Sequence, residues 1–152
     1  MLSYRQNQYE QSEDPVQVLG GPRILVVDDN PEFLEELQEM LSQNGYQTKT
    51  LSDSEQALAV AHAVKPEVIL LDLKMSPKSG FQVADEMRHS FKMKDVPIVA
   101  MTGFFTEKEH ILMMKLCGIK TFILKPFNPI DLIAKVEFAL GRRPEEFYDQ
   151  GT

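Results

Sequence analysis

The sequence predicts an α/β protein, a five-stranded parallel sheet covered by helices on both faces. Three observations carry this. Strand-like runs alternate with segments of helical period five times over, the pattern of a parallel sheet with crossover helices. The runs at 24–27, 68–71 and 96–101 are apolar almost throughout, as strands buried on both faces are. The strand-like runs also end in polar residues, Asp28-Asp29, Asp72, Thr102 and Lys125, at the carboxyl edge where open α/β sheets place their ligands.

Each element has its own signals. Residues 1–22 are polar, carry four Gln by position 17 and end in Gly20-Gly21-Pro22, which reads as a flexible arm or linker. The first strand, Ile24-Leu25-Val26-Val27, runs into Asp28-Asp29. Asn30 then offers an N-cap and Pro31 suits the first helical position. Phe33, Leu34, Leu37, Met40 and Leu41 mark one helical face, and Asn44-Gly45 closes the helix. Residues 46–51 read as a more polar strand nearer an edge. Ser52 and Glu55 form a possible capping box for a helix with a thin stripe of Ala57, Leu58, Ala61 and Val64, stopped by Pro66.

The third strand, Val68-Ile69-Leu70-Leu71, ends in Asp72, a carboxylate that cannot be core filling because burying it unpaired is costly. Phe81, Ala84, Met87 and Phe91 recur at helical spacing beyond it. The fourth strand ends at Thr102-Gly103, and Thr106 with Glu109 suggests a cap for a helix over 107–117. That helix carries Ile111, Leu112, Met113, Met114 and Leu116, more than one buried stripe needs, so part of it should be exposed as a docking patch. A fifth strand at 121–124 leads to Lys125-Pro126. Asn128-Pro129 starts a last helix whose inward residues read as Ile130, Ile133, Val136 and Leu140. Residues 143–152 form a short polar tail.

The bulk numbers agree with one domain over 23–142. A chain of 152 residues holds one full core plus tails, and 43% hydrophobic with 26% charged residues is ordinary for a globular protein. A net charge of -7 argues against direct nucleic-acid binding, and no apolar run is long enough for membrane insertion. Cys117 is the only cysteine and reads as a small buried hydrophobe in a cytoplasmic protein. His62, His89 and His110 lack metal-ligand spacing and read as surface residues.

The strand ends converge on one crevice. Three carboxylates there repel one another, and a hard divalent cation such as Mg2+ relieves that repulsion while favouring a site shared with phosphate. A hydroxyl and an ammonium remain for phosphate oxygens, so the site reads as built to carry a phosphoryl group on Asp72. Two other readings of this crevice fail on particular residues. A magnesium phosphatase with an aspartyl nucleophile wants a second carboxylate two residues on, where Lys74 stands. A flavin module wants a Ser/Thr/Gly-rich phosphate loop after the first strand, where Asp29-Asn30-Pro31-Glu32 would repel phosphate.

In motif order, the chain resembles the receiver domain of two-component response regulators, the family that includes the chemotaxis receiver. Val26-Val27-Asp28-Asp29 resembles its acidic pair. Leu70-Leu71-Asp72-Leu73-Lys74-Met75 with Gly80 resembles its phosphoacceptor strand and loop. Met101-Thr102-Gly103 resembles its hydroxyl position, Phe122 its switch aromatic and Lys125-Pro126-Phe127 its lysine-proline motif. The resemblance implies a flavodoxin-like sheet of strand order 2-1-3-4-5. It implies that Asp72 accepts phosphate from a sensor histidine kinase or histidine phosphotransfer protein and promotes this reaction itself without being a turnover enzyme. It assigns Mg2+ to Asp29, Asp72 and the Lys74 main-chain carbonyl directly, with Asp28 acting through water. Thr102 and Lys125 would bind the phosphoryl oxygens, and Phe122 would move inward to switch a face for a downstream protein target. The Lys125–Pro126 bond should be cis. Lys74 and Phe104 should border the approach of hydrolytic water and make loss of the phosphoryl group slow.

Two departures stand out. Ser76 occupies the position after Met75 where the family usually has proline, and Pro77 follows. Gly118-Ile119-Lys120-Thr121 lacks the acidic residues that many DNA-binding members carry before the fifth strand.

Overall fold

A computed structural model describes residues 20–103 and 108–142. The strands are β1 (Arg23–Val27), β2 (Gln47–Leu51), β3 (Val68–Asp72), β4 (Ile98–Thr102) and β5 (Thr121–Leu124). The helices are α1 (Pro31–Gln43), α2 (Ala57–Val64), α3 (Gly80–Arg88), α4 (Lys108–Leu116) and α5 (Pro129–Ala139), with a 3-10 turn at Ser54–Gln56 before α2. All four ladders are parallel, and the sheet order is β2-β1-β3-β4-β5, as expected.

Because successive strand residues face opposite sides, the three central strands fill two cores at once. Leu25, Val27, Ile69, Leu71 and Ala100 pack with Ala57 and Ala61 of α2, Val83 and Met87 of α3 and Met114 of α4. Ile24, Val26, Leu70, Val99 and Met101 pack with Leu34, Leu37 and Leu41 of α1 and Leu132, Ile133 and Val136 of α5. Each Val, Leu, Ile or Met among them contributes roughly 1.5–3 kcal/mol on burial. β2 has no fully buried residue, which fits its polar sequence and edge position.

Caps place the helix starts. Asn30 accepts from the Glu32 and Phe33 amides with Pro31 following, and Asn128 accepts from the Asp131 amide. A capping box not read from sequence joins Ser79 and Gln82 at the start of α3. Before α2 the capping residue is Asp53, which accepts from the Glu55 amide, and not Ser52. Gly45 lies at φ +90 and Gly118 at φ +75, conformations costly for other residues, where α1 and α4 close. Two readings are corrected, that of Phe91 at helical spacing with α3 and that of Ile130 as an inward residue of the last helix. Phe91 lies beyond the end of α3 and is 85% exposed, and Ile130, in the first turn of α5, is 78% exposed, with Leu132 buried instead. Thr106 of the suggested cap lies outside the described residues. Cys117 is partly buried against the first core.

Among the described residues no helix is long and apolar enough to cross a membrane.

Candidate functional site

The ladder register assembles the site. Val27 pairs with Leu71, so Asp28 and Asp72 follow at the same level on adjacent strands. Asp72 pairs with Met101 and Thr102 with Leu124, so Thr102 and then Lys125 step outward along the same edge. The Lys125 amide donates to the Thr102 carbonyl at 2.7 Å and extends that ladder to the lysine itself. The Lys125–Pro126 bond is cis, as expected, and so is Ser76–Pro77.

Asp28 is 1% exposed and Asp72 is 6% exposed, while Asp29 is open to solvent. Carboxylate oxygens of all three lie within 4.8 Å of one another. Lys125 enters this cluster from β5. Its Nζ donates to Asp28 Oδ2 at 2.8 Å and lies 3.5 Å from Asp72 Oδ1. The same ammonium sits 4.5 Å from the centre of the Phe33 ring, which meets Phe127 edge to face. Phe33, read from sequence only as part of a helical face, thus also holds the lysine by cation–π attraction. Asp28 Oδ1 accepts from the Asn30 amide at 3.0 Å, and Asp72 Oδ1 accepts from the Lys74 amide at 3.4 Å.

Charge is out of balance here. Burial first, then the neighbouring Asp28 charge, push the Asp72 carboxyl up to about 6; Lys125 and the Lys74 amide pull it back, and Asp29 adds a little to the rise. The donor set is all oxygen, dense and anionic, which fits a hard divalent cation. The loop after Asp72 is held by close backbone approach. A Cβ on Gly80 would lie 2.2 Å from the Asp72 carbonyl oxygen and 2.7 Å from Leu73 Cα, so only glycine lets α3 start there.

The remaining predicted positions fall as follows. Thr102 is partly buried at the end of β4. The Lys74 side chain is exposed beside Asp72. Phe122 is partly buried on β5 and lines a cavity with Ile111 and Met114. Phe104 lies outside the described residues. His110 is not a plain surface residue, since its ring stacks on Phe81 at 6.2 Å between centroids.

A doubly wound sheet with a carboxylate cluster and a lysine at its carboxyl edge defines a class of small α/β modules. The comparisons place the chain within it. The response regulator receiver domain family matches residues 24–137, and the chain belongs to that family. It is 35% identical over 120 residues to the probable transcriptional regulator ycf27 of Guillardia theta, covering 79% of this chain and 46% of that protein. It is 34% identical over 124 residues to the DNA-binding response regulator MtrA of Mycolicibacterium smegmatis, covering 82% and 53%. The chain therefore spans about half the length of these curated relatives. Among solved structures, the chemotaxis protein CheY4 of Vibrio cholerae superposes with a TM-score of 0.75 at 28% identity, over 79% of this chain and 99% of that one. The receiver domain of sensor histidine kinase PA1611 from Pseudomonas aeruginosa, solved with magnesium in its active-site cleft, superposes with a TM-score of 0.74 at 26% identity, over 80% and 99%. The protein is thus a receiver domain of two-component signalling.

Proposed function

We propose that Asp72 is the phosphoacceptor of this receiver and that its crevice binds Mg2+. The supporting observation is the cluster itself: Asp72 sits within 4.8 Å of two further carboxylates, with Lys125 reaching both Asp28 and Asp72. Asp29, Asp72 and the Lys74 carbonyl would hold the cation, with Asp28 behind a water. When bound, the cation neutralises the surplus carboxylate charge and the charge on phosphoryl oxygens.

The chain's own residues do the rest. An Asp72 carboxylate oxygen attacks the phosphorus of a phosphohistidine on a sensor kinase or phosphotransfer protein. The nitrogen–phosphorus bond breaks as the oxygen–phosphorus bond forms, and the imidazole leaves with the electron pair. Lys125 turns from Asp28 towards the incoming phosphoryl oxygens, and Thr102 donates its hydroxyl to another. The group adds about two negative charges. Phe122 then moves towards Thr102 and reshapes the face made by α4, β5 and α5. That face already exposes Leu112 (57%), Leu116 (73%) and Leu124 (45%), which suits a downstream protein target. The same switch operates in the cytoplasm whether the receiver acts alone or as a segment of a larger regulator or hybrid kinase, an arrangement supported by the greater length of its relatives. Residues 1–22 and 143–152 then serve as arm and tail.

The test is intact mass after incubation with Mg2+ and a small acyl phosphate. One phosphoryl group should be gained, and none in the Asp72→Asn variant or in chelator. A gain that survives Asp72→Asn removes Asp72 from the role.

A further inference from the structure

At the edge of the sheet opposite the acidic crevice lies a cleft of about 490 Å³ with the reverse chemistry. Its floor is Arg88, at the end of α3. The guanidinium donates to the carbonyls of Met93, Lys94 and Val96 through Nη1 and of Gly118 through Nη2, at 2.9–3.4 Å. Carbonyl dipoles fix the group, and the Asp95 charge acts on it from the same cleft. Lys94 and Lys120 stand exposed at the rim, Asp95 is the one acidic side chain lining the cleft among the described residues, and Phe138, 71% exposed, forms a wall from the last turn of α5. In a chain of net charge -7, three cations converge on this cleft beside an open aromatic ring.

An occupant of matching chemistry follows α5 in the sequence. Residues 145–149 read Glu-Glu-Phe-Tyr-Asp, three carboxylates around two aromatic rings, and lie outside the described residues. Reach is sufficient. Five extended residues span up to about 17 Å, more than the roughly 10 Å width of a helix, so a segment leaving Arg142 can pass across the end of α5.

We propose that the cleft between Arg88, Lys94, Lys120 and Phe138 is the docking site for the chain's own acidic–aromatic segment 145–149, with an aromatic ring against Phe138 and carboxylates on the rim lysines. Docking there ties the α4–β5 connection to the end of α5, and so braces the lower part of the α4–β5–α5 face. It does not depend on Asp72 being phosphorylated.

The test uses the full chain and amide resonances of Lys94, Gly118 and Lys120. Reversing Glu145→Lys and Glu146→Lys with Phe147→Ser should move them, and reversing the rim, Lys94→Glu with Lys120→Glu, should cost residues 145–149 about tenfold in exchange protection, equivalent to about 1.4 kcal/mol. Combining the two charge reversals should restore the cleft resonances. Arg88 is left intact because it ties the 93–96 segment to Gly118. Cleft resonances unmoved by the tail variant would overturn the proposal. So would resonances that move with Glu10→Lys and Glu13→Lys but not with the tail, which makes the N-terminal arm the occupant, or that move only on adding a second protein.

Discussion

Two clusters bury carboxylates at opposite edges of this sheet, and they are built differently. At the carboxyl edge Lys125 reaches both Asp28 and Asp72 within a cluster of three carboxylates, Asp28, Asp29 and Asp72. At the amino edge lies Glu137 of α5, 5% exposed. The Tyr46 hydroxyl donates to its Oε2, and Arg142 Nε lies 3.3 Å from its Oε1. Burial first, then the Glu137 hydrogen bond and charge, hold the Tyr46 phenol well above its ordinary range, so it remains a donor throughout the physiological range. One cluster is close to neutral and closed but for Glu137 Oε1, which meets Arg142 as an ion pair and accepts no hydrogen bond among the described residues. In the other, burial and the neighbouring carboxylates outweigh the pull of Lys125 on Asp72. Such an imbalance costs stability and suits a site that receives a cation and a phosphoryl group.

The comparison makes opposite predictions for the two clusters. The largest effect is expected at Asp72. Its folded carboxyl titrates near 6, above the ordinary 3.8, so the folded state prefers the protonated form. The penalty is absent below the unfolded value, grows as pH rises through the folded value and is complete above it. In chelator, Asp72→Asn should therefore be more stable than wild type by about 2–3 kcal/mol at pH 7.5, with the gap closing towards pH 4. Urea unfolding of both proteins across that range measures it, and a gap independent of pH would break the comparison. Saturating Mg2+ should reverse the order. At a hundredfold excess over Kd, wild type gains about 2.7 kcal/mol, and Asp72→Asn should gain far less in the same melts.

Next comes the closed cluster, where removing a partner should destabilise. Tyr46→Phe strips a donor from a buried carboxylate and should cost about 1–3 kcal/mol in urea unfolding, with Mg2+ making no difference. A neutral or stabilising outcome would mean that Glu137 is as poorly compensated as Asp72. The smallest stability effect is expected for Asp29→Ala. Asp29 is exposed, so relief of repulsion should raise stability by less than about 1 kcal/mol, while Mg2+ titration should show weakened binding and phosphorylation should fall. Unchanged Mg2+ affinity would remove Asp29 from the proposed ligand set.

The open cluster was legible in the sequence and the closed one was not, for a physical reason. Asp28, Asp72, Thr102 and Lys125 each end an apolar run, and parallel strands of equal polarity must bring their ends to one edge. Tyr46 and Glu137 are 91 residues apart, one before an edge strand and one on a helix, and no local period signals their meeting. Sequence placed Tyr46 in a strand and gave Glu137 no role. Arg88 escaped notice likewise, because its partners are backbone carbonyls that any sequence could supply. Periodicity also says little about where a helix stops, hence the misplacement of Phe91 beyond α3. At Ile130 the helix was real, but its first turn overhangs the sheet. Asp53 displaced Ser52 as the cap because both side chains can accept an amide and the choice rests on backbone path.

The ion pair between Lys125 and Asp28 joins residues 97 positions apart. During synthesis at about 5–20 residues per second, Asp28 emerges on the order of 5–20 seconds before its lysine. β1, β2 and β3 are all available in that interval, and pairing β1 with β3 drives Asp28 against Asp72 before Lys125 is made. The central ladder of the nascent sheet thus starts under electrostatic load, part of which Lys125 lifts when the final strand arrives. Order of synthesis makes the last crossover the step that secures the pairing of β1 with β3.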